Sequence, residues 1–495
     1  MDPIIQTKLG RIKGLQKEAY QEFLGIRYAK APIGELRFQP LQPLEPWEKI
    51  YDATKYGRMA PQLWDDNPPI ELEESEDCLF LNIYTPQADD NKRPVMFYIH
   101  GGAFAIGSGS RPRLYGGNLV KHGNVVVVTI QYRLGALGFL YMNNVSPNLG
   151  LQDQICALKW VRDNIDAFGG DPNNITVFGQ SAGAISVLYL LLMPQAKGLF
   201  HKAIAQSGSI PLDFGTSRNY VNSTPHLLSK LKIQPGDLRA LQDLPLEQLM
   251  NAQKKIQKGI LSEMAFYPVM DGKIVPKNVP DALKTGFAKD IPLIIGTTAD
   301  EVPLFGYYLK SSSKIKRFLT KFLFDRRFQR LGLKKSAIKE ILDAYRKNSE
   351  MTGAIPDKEY DIFIADLMFR IPAIKFAEAH SSSNSNTYFY IFTYPAPKIG
   401  SAVHVLDLFF VFNTLKTTDI AKDMQLSGSK EEEHLSKMIM DTWVSFARTG
   451  NPNHSGILEW PTYDIQKRAT MILDISSKVI EAPMNEERKI WEEIV

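Results

Sequence analysis

Four consecutive valines, Val125 to Val128, lie inside a run from Asn124 to Ile130 that holds no charged residue. Such a run offers water no polar face. Its β-branched side chains disfavour a helix, so it is expected to fold as a strand covered on both sides. Pro94 to Ile99, Asn174 to Phe178 and Ile291 to Ile295 have the same character. Strands buried on both faces belong to parallel sheets, whose crossovers are usually helical. The intervening chain reads as helix. Asp153 to Phe168 sets Ile155, Leu158, Trp160, Val161, Ile165 and Phe168 at helical spacing and stops at Gly169-Gly170. This alternation predicts an α/β fold with a large, mixed but mostly parallel central sheet flanked by helices.

The chain changes character after residue 215. Apart from Ile291 to Ile295, strand runs are few until Thr387 to Phe392 and Met471 to Leu473, while Leu227–Leu231, Leu246–Ile256 and Ile315–Leu342 are amphipathic. No linker separates the halves. The expectation is one domain over residues 1–495, with helical insertions at about 215–290 and 302–385 forming the walls or lid of a site. With 44% apolar and 23% charged residues in 495, a disordered chain, a collagen and a coiled-coil rod are excluded. A net charge of +4 argues for no nucleic-acid partner. Only Cys78 and Cys156 are present, so a disulfide scaffold is not expected, though one bridge between them fits the numbers. The N-terminal residues read as no signal peptide, and the longest apolar stretch, Ala182 to Pro194, is too short to span a membrane. The expected location is cytoplasmic, without a stable membrane anchor, as a monomer or small homo-oligomer. The Asn-x-Ser/Thr sites at Asn144, Asn174, Asn222 and Asn453 are read as chance.

Two motifs carry chemistry. Gly179-Gln180-Ser181-Ala182-Gly183 follows the strand ending at Phe178 and precedes the apolar segment Ala184 to Leu192. Strand, G-x-S-x-G, helix is the setting of a nucleophile elbow: a sharp turn flanked by small residues that exposes the serine Oγ at the sheet edge. The helix start favours developing negative charge, and the Ala182 N–H is placed for an oxyanion. His100-Gly101-Gly102-Ala103-Phe104 follows the strand ending at Ile99 and supplies backbone N–H donors of the same kind. Gly102, Ala103 and Ala182 would make a three-donor oxyanion hole.

At these residues the chain resembles the type-B carboxylesterase and cholinesterase family of α/β-hydrolases, most closely its bacterial para-nitrobenzyl-esterase-type carboxylesterases. The resemblance extends to Gly34-Glu35-Leu36-Arg37-Phe38, Glu76-Asp77-Cys78-Leu79-Phe80-Leu81-Asn82, Tyr132-Arg133-Leu134-Gly135, Phe168-Gly169-Gly170-Asp171-Pro172 and Gly450-Asn451-Pro452. It implies an α/β-hydrolase fold and a serine carboxylesterase that needs no metal or cofactor. Such hydrolases order their triad Ser, acid, His. Of the eight histidines, His404 stands in a small-residue loop before the apolar segment Leu406 to Phe412 and resembles the family's His-x-x-acid-Leu block. His434 reads as a solvated helix face and His454 as part of a polar turn. Glu301, after the strand Ile291–Ile295, resembles the acid of the family's Gly-x-x-x-Asp-Glu-Gly block; Asp300 is its nearest rival, and Val302 stands where the block ends in glycine. The implied triad is Ser181, Glu301 and His404, acting through an acyl-enzyme, with activity falling in acid as His404 takes up a proton.

Further assignments follow from the same resemblance. Arg37 with Glu76 and Arg133 with Asp153 match scaffold ion pairs, and Ser207 matches a serine close to the triad. Cys78 matches a position bridged in secreted members, but Met59 and Leu63 stand where its partner is expected. The short segment around Trp64 disfavours acetylcholine as substrate. Phe104, Phe266 and Tyr267 are candidate substrate-binding residues. The expected substrates are small-molecule esters, short- to medium-chain or aryl. The alternatives are a lipase-like hydrolase of longer acyl esters and a catalytically silent binding protein of the same fold. The charge itself is uneven. Lys310 to Lys347 holds 13 basic and 3 acidic residues, +10, against 45 basic and 51 acidic elsewhere, −6. That segment is either a solvated helix face or a lid attracting anionic substrates.

Overall fold

The computed structural model describes residues 1–63, 73–210, 223–256, 265–302, 335–352 and 359–494. Trp64 and most of the basic segment Lys310 to Lys347 lie outside these residues. Among the described residues the central sheet has eleven strands. From one edge they run Lys478–Glu481, Ala469–Leu473, Thr387–Phe392, Leu293–Thr298, Lys202–Gln206, Gly170–Gln180, Arg93–Ile99, Val126–Ile130, Phe80–Thr85, Gln21–Arg27 and Leu15–Gln16. The seven from Ala469–Leu473 to Val126–Ile130 are mutually parallel, and the edges close with antiparallel pairs. Together with its helices this is the α/β-hydrolase architecture.

The valine run shows why the sheet is covered on both faces. Val126 and Val128 join Val95, Phe97 and Ile99 in one core cluster, while Val125 and Val127 join Met96 and Tyr98 in the other. The two-residue period of a strand assigns alternate side chains to opposite faces. Helices Leu149–Asn164 and Ala182–Leu192 pack in the first cluster, and Leu406–Val411 and Lys430–Thr449 in the second.

Strand order places the site. The chain runs through Arg93–Ile99, lays Val126–Ile130 on one side of it, then crosses to lay Gly170–Gln180 on the other. Connections leaving the C-terminal ends of Arg93–Ile99 and Gly170–Gln180 therefore diverge, which opens a crevice where α/β sheets hold their sites. Ile99 pairs with Gly179, Gln180 with Gln206, and Gln206 with Gly296. The turns after these strands thus stand in a row.

The helix expected from Asp153 begins earlier, at Leu149, and gives way at Ile165–Phe168 to a tighter 3₁₀ turn ending on Gly169 with φ 79°. The helical regions include Thr224–Leu231, Leu246–Ile256, Lys335–Thr352, Glu359–Ala365 and Ile371–Ser381, with a π-helical turn at Asp366–Arg370. Arg37 forks onto both oxygens of Glu76 and donates to the carbonyls of Leu241 and Gln242, tying the N-terminal block to the first helical region. Cys78 and Cys156 are both free, so the bridge that their number allowed is not formed. No helix among the described residues is long and apolar enough to cross a membrane.

Arg133 and Asp153 form a buried, bidentate pair with side chains 3% and 0% exposed. The Arg133 backbone N–H also donates to Asp153 at 3.0 Å. Asp153→Ala would strand a buried guanidinium and is expected to lower stability by about 3–5 kcal/mol. Urea unfolding followed by tryptophan fluorescence checks this; a loss under about 1 kcal/mol would contradict a supporting role for the pair.

Candidate active site

Ser181 sits between the strand Gly170–Gln180 and the helix Ala182–Leu192 with φ 56° and ψ −125°. This strained backbone is uncommon for a residue with a Cβ. Tight packing holds it. A Cβ on Gly183 would lie 2.0 Å from the Ile99 carbonyl oxygen, and one on Gly179 would lie 2.5 Å from the Gly183 backbone. The Ser181 N–H donates to Gln206 O at 2.9 Å and its carbonyl accepts from Ile185 at 2.9 Å, fastening the turn to the next strand and to its own helix. Ser181 keeps partial exposure while Ala182 is buried.

The turn after Ile99 lies against this elbow. Gly102, Ala103 and Phe104 all have positive φ, 121°, 54° and 59°. The Gly102 carbonyl is held by the N–H groups of Ala105 and Ile106, both at 2.9 Å. Gly101 packs so closely that a Cβ on it would be 3.1 Å from the Ser181 Cβ and 2.5 Å from the Gln180 carbonyl. His100 supports the turn from beneath. Its Nδ1 donates to Gly101 O at 2.9 Å and its ring stacks on Tyr132 at 4.4 Å, whose hydroxyl donates to His100 O at 2.8 Å. Burial pushes the His100 imidazole down to about 3, so it stays neutral at any working pH.

Glu301 and His404 meet through two loops laced together. Asp300 N–H donates to Ala402 O at 3.0 Å, and Asp300 and Val403 form a parallel bridge. His404 Nδ1 stands 2.5 Å from Glu301 Oε2, while Glu301 Oε1 accepts from the Thr298 N–H at 2.9 Å. Glu301 is 1% exposed, so its carboxylate is held without solvent. The strand Leu293–Thr298 delivers Glu301 directly; His404 follows a longer loop, after Thr387–Phe392, and a left-handed Val405 at φ 78° turns the chain into the next helix. Asp300 contributes backbone to this lacing.

Residues that the sequence reading did not single out surround the base. Phe369, on the π-helical turn, lays its ring 5.0 Å from that of His404. π-Turns interrupt helices where a side chain must be re-aimed, and no short sequence pattern announces one. Asp407 lies one turn beyond His404 and accepts from the Gln206 amide at 2.8 Å and the Tyr390 hydroxyl at 2.9 Å. Burial, reinforced by the charge of Glu301, raises its carboxyl above the usual range. The His-x-x-acid spacing was the signal that could have found it. Gln180 reaches His404 Nε2 at 3.0 Å.

Phe104, Phe266 and Tyr267 lie in the packed core, with Phe104 edge-on to Phe139 at 4.9 Å and to Tyr267 at 5.1 Å. Ser207 is buried beside Ser181 in the row of strand ends, with φ 51° and its N–H on Gly296 O. His434 is exposed on Lys430–Thr449, and His454 contacts Thr442.

The model of the carboxylesterase family matches residues 1–491. Para-nitrobenzyl esterase of Bacillus subtilis is 37% identical, with 98% of each chain covered. Carboxylesterase 1E of Rattus norvegicus is 34% identical over 100% of this chain and 94% of its own. Among solved structures, a Geobacillus stearothermophilus carboxylesterase superposes with a TM-score of 0.84 at 36% identity, covering 99% of each chain.

Proposed function

Since this chain belongs to the carboxylesterase family and is a serine hydrolase of carboxylic esters, we propose that Ser181 is its nucleophile, His404 its base and Glu301 the acid that orients the base. The observation that carries this reading is the buried Glu301–His404 contact on two loops laced to each other, with His404 Nε2 3.0 Å from Gln180, the residue that precedes the strained Ser181 turn. With the Glu301 carboxylate accepting the Nδ1 proton, Nε2 is left with a lone pair, the form a base requires. Ser181 Oγ attacks the ester carbonyl carbon and its proton passes to Nε2. The carbonyl electrons move onto oxygen, opposite the N–H groups of Gly102, Ala103 and Ala182. Collapse expels the alcohol, which takes the proton from the imidazolium, and leaves an acyl-serine. Water repeats the sequence and releases the acid.

The proposed substrates are short- to medium-chain or aryl esters. The Bacillus subtilis relative is named for a para-nitrobenzyl ester, and Phe369 sets an aromatic face beside the base. Comparing soluble para-nitrophenyl butyrate with an emulsified long-chain triacylglycerol tests this. The soluble ester should give at least a tenfold higher kcat/KM; activity that appears only once the substrate forms an interface would show a lipase. A cytoplasmic location belongs to the same proposal, supported by two thiols that stand free, as a reducing compartment keeps them.

A further inference from the structure

The residue before the nucleophile reaches the base. The amide nitrogen of Gln180 stands 3.0 Å from His404 Nε2, the atom that must take the Ser181 proton. Gln180 is 2% exposed, so water does not compete for this contact. Glu301 fixes its sense. Because the carboxylate accepts at Nδ1, Nδ1 carries the ring hydrogen and Nε2 presents a lone pair, to which the Gln180 amide can turn only its N–H. The other end of the amide faces the oxyanion turn, where a Cβ on Gly101 would lie 3.1 Å from the Gln180 Oε1. One neutral side chain therefore lies between the base and that turn.

We propose that Gln180 is a positioning residue for His404: its N–H holds Nε2 in the free enzyme and gives way there to the Ser181 hydroxyl as attack begins, and its carbonyl turns toward the imidazolium while Nε2 carries the proton, before that proton goes to the alcohol. The primary amide suits this double duty, because rotation about its last torsion exchanges a donor for an acceptor at one place. A neutral partner also leaves the imidazolium without an added counter-charge on the Nε2 side. The proton needed for catalysis moves from Ser181 Oγ to Nε2 and later to the departing alcohol; Gln180 gains and loses none. Among the described residues, the titratable groups facing His404 include Glu301 at Nδ1 and Asp407 on the following helix. The turn that packs Phe369 on the ring carries Asp366 and Arg370, which pair with each other, and His100 beneath the oxyanion turn stays neutral.

The proposal rests on the triad reading, and the test separates the two. Gln180→Glu and Gln180→Met are compared with the wild type by kcat/KM–pH profiles on a soluble ester, each normalised to the fraction of Ser181 labelled by a fluorophosphonate. A carboxylate at Nε2 favours the imidazolium, so the acid limb of Gln180→Glu should move to higher pH by about one unit or more. Methionine fills the space with no partner for either protonation state. Its kcat should fall several-fold at the pH plateau with KM little changed. An acid limb of Gln180→Glu that superposes on the wild type overturns the proposal, as does a methionine variant whose loss lies in KM alone. Either variant decides the matter if the other fails to fold. A wild type that takes no label would remove the triad reading instead.

Discussion

Replacing Ser181 by alanine is expected to lower kcat on a soluble ester by about 10⁴–10⁶-fold while leaving the fold intact. The loss follows from the arrangement. Without Oγ no acyl-enzyme can form, and His404 and the oxyanion donors have only water to direct at the carbonyl. The remaining rate is the modest acceleration that binding and the oxyanion hole supply alone. The fold should tolerate the change because the Ser181 hydroxyl makes no cap bond to its helix. The strained φ is imposed by Gly179, Gly183 and the Gln206 contact. Thermal unfolding within a few degrees of the wild type, together with the collapse in kcat, is the expected pair of results. An alanine variant with more than about a hundredth of the wild-type rate would require another nucleophile.

The second large effect concerns Glu301. In Glu301→Gln the Oε1 position can still accept from the Thr298 N–H, so the loop should stay in place. The amide N–H then faces His404 Nδ1, which must offer a lone pair, and the ring proton moves to Nε2. The base is thereby held in the wrong tautomer with its geometry unchanged, a change that costs about 10⁴ in kcat in serine proteases. A kcat fall of about 10³–10⁴ with little change in KM is expected, measured on a soluble ester at neutral pH. A fall below tenfold would show that the buried contact at 2.5 Å does not govern the base.

Much of this was legible in the sequence because burial on both faces leaves no ambiguity. Valine and isoleucine runs bounded by turn residues marked Arg93–Ile99, Val126–Ile130 and Leu293–Thr298 to within about three residues. The strand Gln21–Arg27, next to the sheet edge and bulged between Phe23 and Ile26, has no such run and escaped. The strand Lys202–Gln206 escaped as well, since alanine and glutamine carry little strand signal. At the site, the two motifs next to strand ends were readable because glycine is required where backbones approach within van der Waals contact. Phe369, Asp407 and Gln180 act through contacts with partners far away in the chain, and the loop lacing that brings Glu301 to His404 spans about a hundred residues. No local pattern encodes a register set by Asp300 against Val403. Phe104, Phe266 and Tyr267 are buried in the core cluster, where large apolar side chains most often belong, and Phe104 directly follows the oxyanion turn.

The central claim is that one serine, activated by one histidine, carries the acyl group. Mass spectrometry of the intact protein after reaction with a fluorophosphonate, followed by peptide mapping, tests it most directly. The account predicts a single adduct per chain, on Ser181, absent from Ser181→Ala and slowed in His404→Ala. An adduct mapping to another residue, or equal labelling of Ser181→Ala, would contradict it.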